Sequence, residues 1–94
     1  MENIILANQQ LNEWCGTEGI NYYEGIEALG FLFKYAVPKV IKDYKLSSIH
    51  ATWRPKGIWR VAVYYYHGVG SGEGATYALA LFWAVYRVLK EAKE

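Results

Sequence analysis

Four residues near the middle of the chain, Arg54-Pro55-Lys56-Gly57, constrain the fold more than any other stretch. Proline holds the backbone angle wanted at the first turn position, and glycine accepts the left-handed one that closes a bulge. The segment from Ser47 to Tyr66 therefore reads as a β-hairpin. That turn sets the register. With Arg54 opposite Ile58, Trp53 faces Trp59, Ala51 faces Val61 and Ile49 faces Val63, all on one side of the ribbon, which is the expected core face. The other side carries His50, Thr52, Arg54, Arg60, Ala62, Tyr64 and Tyr66, a polar and aromatic surface.

The flanks read as helices. A first helix over about Glu2 to Trp14 offers Ile5, Leu6, Leu11 and Trp14 to one side, and Gly16 and Gly19 end it. A second begins near Tyr23 and aligns Ile26, Leu29, Phe33 and Val37 at three- and four-residue steps. Pro38 lacks an N–H and clashes with the carbonyl four residues back, so it predicts a kink or a short helix from Pro38 to Tyr44. Four glycines in the eight positions His67 to Gly74 predict an irregular connection. Thr76 or Gly74 then caps a final helix to about Ala92. One stripe of that helix is Ala78, Phe82, Val85 and Leu89, and another is Leu79, Trp83 and Tyr86.

The expected fold is α+β, with two N-terminal helices, a β-hairpin and a C-terminal helix: an α-α-β-β-α sandwich completed by dimerisation. At 94 residues it is a single domain, 1–94, with one modest core that hides about 60–65% of the unfolded surface. Aromatic residues reach 17%, with nine Tyr, four Trp and three Phe, more than such a core can hold. Trp53, Trp59, Phe33, Phe82 and Tyr65 are expected inside. Tyr64, Tyr66, Trp83 and Tyr86 then need another reason. The stripe Leu79, Trp83 and Tyr86 is read as a subunit interface of a homodimer or higher homo-oligomer, and a two-stranded ribbon favours completing its sheet across a dimer axis.

A net charge of +1 argues against a protein of bulk nucleic acid or anionic membranes. The charge is unevenly spread: residues 1–33 carry five Glu and no Lys or Arg, whereas residues 34–60 carry seven basic groups against Asp43. The apolar run Ala75 to Tyr86 has 12 residues, short of the roughly 20 of a membrane span. Cys15 is alone and no secretory signal opens the chain, so a cytoplasmic setting is expected. Cys15 also lacks an activating His and acid nearby in sequence, and two His 17 residues apart with no second Cys make no zinc set. Glu24 and Glu27 suit the start of a helix. Neither enzyme, cofactor nor metal is expected.

Several short words resemble the phage ABA sandwich family: Leu11-Asn12-Glu13-Trp14, Tyr23-Glu24-Gly25-Ile26-Glu27-Ala28, Gly57-Ile58-Trp59-Arg60-Val61 and Gly74-Ala75-Thr76-Tyr77-Ala78-Leu79-Ala80. The resemblance implies a phage origin, hence the host cytoplasm during infection, and an α/β sandwich; it implies no chemistry.

Candidate binding residues come from the chain itself. Gly70-Ser71-Gly72-Glu73-Gly74-Ala75 has the G-x-G-x-x-A spacing between a strand and a helix, so backbone N–H groups and a helix start, with Thr76, are expected to meet a phosphate. No second parallel strand follows, which excludes a dinucleotide-binding domain. Tyr64 and Tyr66 point outward beside Arg60 and His50, where rings stack on nucleobases and a guanidinium pairs with phosphate. The expected function is non-enzymatic sequestration of a nucleotide-type host immune signal, of the cyclic dinucleotide or cyclic ADP-ribose class, by a sponge-like anti-defence protein. The alternatives are a protein-binding inhibitor or accessory factor using the aromatic helix face, and a virion assembly component.

Overall fold

The structure, a computed structural model, describes residues 3–92. Helix α1 spans Ile4–Cys15. Glu2, where the sequence places its start, lies outside the described residues, and the side chain of Asn3 caps the helix by accepting from the Ile5 and Leu6 N–H groups at 2.9 and 3.3 Å. Gly16, left-handed at φ 71°, ends it as expected.

The second helix begins at Ala28, five residues later than the sequence predicts. The Asn21 carboxamide oxygen accepts from the N–H groups of Tyr23 and Glu24, at 3.0 and 2.9 Å, and Gly25 takes φ 93°, so a turn occupies the place of the first helical turn. From there α2, Ala28–Phe31, runs through a π-helical segment, Leu32–Ala36, into α3, Val37–Tyr44. Pro38 explains the π segment. It has no N–H for the Lys34 carbonyl and its ring crowds that carbonyl, so the coil widens and the Val37 N–H bonds to the Leu32 carbonyl instead.

Strands β1, Ser48–Arg54, and β2, Ile58–Tyr65, pair in the register the turn predicts: Trp53 opposite Trp59, Ala51 opposite Val61, Ile49 opposite Val63. Gly57 closes the turn at φ 76°, its N–H on the Arg54 carbonyl at 3.0 Å. The glycine-rich stretch departs from expectation: Gly68–Gly74 is a third strand, β3, antiparallel to β2, in a sheet of order β1-β2-β3. Helix α4, Tyr77–Ala92, follows, with the Thr76 hydroxyl accepting from the Leu79 N–H at 3.1 Å. The fold is thus α+β, with helices packed on one face of a three-stranded antiparallel meander.

The regularity of β3 lies in its alternation. Gly70, Gly72 and Gly74 point inward beside Val63, Val61 and Trp59, while Val69, Ser71 and Glu73 point outward. The inward glycines let α4 lie against the backbone. A Cβ on Gly72 would sit 2.5 Å from the Ala84 nitrogen and closer still to the Ala80 carbonyl oxygen, and one on Gly70 would sit 2.6 Å from Val88 Cγ2. Ala80 and Ala84 are the small helix residues that meet them, both fully buried.

The core gathers Leu11, Tyr22, Leu32, Val40, Val61, Val63, Leu81, Phe82, Val85, Val88 and Leu89. Two expected stripes are displaced. In α1 the inward residues are Ala7, Leu11 and Asn12, leaving Ile5 and Leu6 exposed, because Asn8 and Asn12 face the following loop and bind it. In the second helical region Ala28, Leu32, Ala36 and Val40 face inward at four-residue steps, while Ile26, outside the helix, is 99% exposed and Phe33 44% exposed. Trp53, expected inside, is 58% exposed, since the helices cover β2 and β3 and reach β1 little.

Candidate functional site

The outer face of the sheet is open. Ser48, His50, Thr52 and Arg54 of β1, Ile58, Arg60, Ala62 and Tyr64 of β2, and Val69, Ser71 and Glu73 of β3 alternate with the core residues, and none is buried. Ala62 is the low point of this face. Its strand partners are His50 on one side and Ser71 on the other, and its same-face neighbours along β2 are Arg60 and Tyr64. Strands stand about 4.8 Å apart and same-face residues about 7 Å apart along a strand, so these four side chains frame a patch of nucleobase dimensions over a methyl floor. The His50 and Tyr64 rings pack edge-to-face at 5.3 Å between centroids and 79° between planes, so the two side chains form one border of the patch together. Arg60 stands at the other border, between Thr52 and Glu73.

Four of the expected ligand residues, His50, Arg60, Tyr64 and Ser71, thus come together, and the other four lie elsewhere. Tyr66 sits in the turn after β2, its ring edge-on to His67 at 4.6 Å and under the Lys45 ammonium at 5.5 Å, beside a cleft of 430 Å³ that Asp43 and Tyr44 also line. Thr76 spends its hydroxyl on capping α4. The phosphate cradle expected at Gly70 and Gly72 does not form. A cradle needs a loop whose free N–H groups converge on a helix start, whereas these residues lie in a paired strand, and the space their missing side chains leave is filled by α4.

The expected subunit stripe is largely used within the chain. Tyr86 is 5% exposed, Leu79 packs against Gly74, and Trp83 meets Phe82 and Tyr86 edge-on at 5.0 and 5.8 Å. The reason is the third strand: α4 lies over β3, so a face that a two-stranded ribbon would leave bare is covered. Trp83 remains half-buried and, with Arg87, borders a 390 Å³ cleft along Ser71, Gly72 and Glu73.

Sequence reasoning missed a polar clamp between α1 and the loop that follows it. Asn8 donates to the Ile20 carbonyl at 2.8 Å and accepts from the Tyr22 N–H at 3.0 Å. Asn12 donates to the carbonyls of Asn8 and Ile20 at 3.0 and 2.9 Å, and accepts from the Thr17 hydroxyl and the Ile20 N–H at 2.8 and 3.1 Å. The Thr17 and Tyr22 hydroxyls lie 2.8 Å apart, and among the described residues no buried side-chain nitrogen or oxygen is left without a partner. The two Asn at four-residue spacing beside a Gly-containing loop were the available signal. Burial pushes the Cys15 thiol up, only partly offset by a hydrogen bond with Tyr22, which makes it a poor nucleophile. Among the described residues no three His, Cys, Asp or Glu side chains group to hold a metal ion, and no helix is long and apolar enough to cross a membrane.

No family model matches the chain, and no match is found among curated proteins or solved structures. The resemblance to the phage ABA sandwich family rests on the short words in the sequence.

Proposed function

We propose that the chain is a non-enzymatic binding protein that captures a nucleotide-type ligand on the open face of its sheet. The observation that carries this reading is the convergence of His50, Arg60, Tyr64 and Ser71 around Ala62, on a face where no side chain is buried. Tyr64, 43% exposed and braced by His50, offers a ring for base stacking; Arg60 offers a bidentate donor for phosphate; Ser71 offers a hydroxyl for sugar or base. Such a protein acts by stoichiometric capture. The phage resemblance makes host immune signals of the cyclic dinucleotide or cyclic ADP-ribose class the first ligands to try.

Isothermal titration against a panel of these compounds tests the reading. One member is expected to bind. Arg60→Ala and Tyr64→Ala each weaken it by roughly 5- to 150-fold, the effect of about 1–3 kcal/mol for a lost stacking or charged contact. Absence of heat with every member, or binding untouched by both substitutions, refutes it.

A further inference from the structure

We infer that β1 pairs with β1 of a second copy of the chain, antiparallel about a two-fold axis passing through Ala51. This inference stands apart from the ligand reading. β1 is an edge strand of seven residues, with β2 on one side and, among the described residues, no strand on the other. It carries none of the usual devices that discourage pairing: no proline interrupts Ser48-Ile49-His50-Ala51-Thr52-Trp53-Arg54, and its only permanent charge stands at the end. The apolar face of this strand is also incomplete. Trp59 is stacked on Tyr77 at 5.3 Å and half-buried, but its neighbour Trp53 is 58% exposed and Ala51 is exposed. Phe33, edge-on to Tyr77 at 6.4 Å, extends the same exposed apolar border.

The strand is complementary to itself. In a symmetric antiparallel pair, side chains that face each other share a side of the sheet, so the axis must fall on a residue. With the axis on Ala51, Ile49 faces Trp53 of the second copy, Ala51 faces its own equivalent, His50 faces Thr52 and Ser48 faces Arg54. All seven residues are used, the exposed indole gains an aliphatic partner, and no like charges meet. An axis on Thr52 would set His50 against Arg54 and Ile49 against Pro55, and an axis on His50 would leave Trp53 opposite Ser47. The other sheet edge is a poorer match. Self-pairing of β3 about Ser71 sets Val69 against Glu73, and its glycines contribute no side chains. Pairing through β1 makes a continuous six-stranded sheet, with helices on one side and both open patches on the other.

Ala51 is exposed in the single chain, so a charge there leaves the fold intact while two like charges would meet on the axis. Sedimentation is expected to give the wild type about twice its 10.8 kDa mass. Ala51→Glu and Ala51→Lys should each weaken the dimer by about a hundred-fold or more, since like charges face to face cost several kcal/mol. An equimolar mixture of the two recovers a heterodimer, and Val69→Glu, at an exposed position on the opposite edge strand, leaves the dimer unchanged. A monomeric wild type, an undisturbed Ala51→Glu dimer, failure of the mixture to associate, or loss of the dimer in Val69→Glu overturns the inference.

Discussion

Replacing Gly72 with Ala adds one carbon where the helix backbone already is. The new Cβ would lie 2.5 Å from the Ala84 nitrogen and 2.6 Å from Trp83 Cβ, against an ordinary contact of 3.4 Å or more. Strand β3 or helix α4 must therefore withdraw by about 1 Å, a gap that forfeits a quarter to a half of the dispersion energy across the contact. No flexible side chain can yield instead, because two of the nearest atoms are backbone. Overpacking of this kind costs about 1–3 kcal/mol and occasionally more. Rigid partners on both sides put Gly72→Ala at about 3 kcal/mol, which for a domain of this size lowers the melting temperature by roughly 12–24 °C. Gly30→Ala is the internal control. Gly30 lies in α2 with nothing within 4 Å of the added carbon, so the same substitution there should stabilise by about 0.5–1 kcal/mol through helix propensity. Urea denaturation followed by tryptophan fluorescence and thermal melts by circular dichroism measure both. A Gly72→Ala protein as stable as the wild type would refute the claim that these glycines serve the close approach of α4.

Asn12→Ala removes bonds to Thr17, Asn8 and Ile20 together. It leaves part-buried partners unpaired, so urea denaturation should show a loss of about 1–3 kcal/mol. Asn3→Ala deletes the cap of α1 and should cost about 1 kcal/mol in the same assay. Burial raises both the Cys15 thiol and the Tyr22 phenol above their ordinary values of 9.0 and 10.0, which favours their neutral forms in the folded chain. Their stabilising contribution is therefore complete below pH 9.0 and is lost as pH rises beyond it, while the unfolded chain ionises first. Stability measured from pH 7 to 11 should decline from about pH 9 upward, and Cys15→Ala should delay the onset of that decline.

The hairpin was legible because turn chemistry is local. Proline and glycine at Arg54-Pro55-Lys56-Gly57 determine the register by themselves, and the division of Tyr64 from Tyr65 follows from it. The third strand was hidden because glycine has two meanings, freedom in a loop and close approach in a strand. Only the strict alternation of Gly70, Gly72 and Gly74 with Val69, Ser71 and Glu73 separates them. Once β3 exists, α4 is drawn over it, which is why Tyr86 is buried rather than offered to a partner. The phase of the second helix was lost for a similar local reason: the Asn21 turn delays its start and the π segment before Pro38 adds a residue to one turn, so Ile26 and Phe33 leave the core stripe. Of the candidate site, His50, Arg60 and Tyr64 were placed by the hairpin register; Ser71, expected in a glycine loop, reaches the same patch only through β3, and Tyr66, expected on that face, lies in the turn beyond the strand.

The most direct measurement is an amide chemical-shift titration of the isotopically labelled chain with the panel compound that gives heat. The largest shifts are expected to cluster at His50, Arg60, Ala62, Tyr64 and Ser71, with their cross-strand neighbours next. Shifts centred instead on Trp83 and Arg87, on the Tyr66 turn, or spread evenly over the helices would rule out capture on the sheet face.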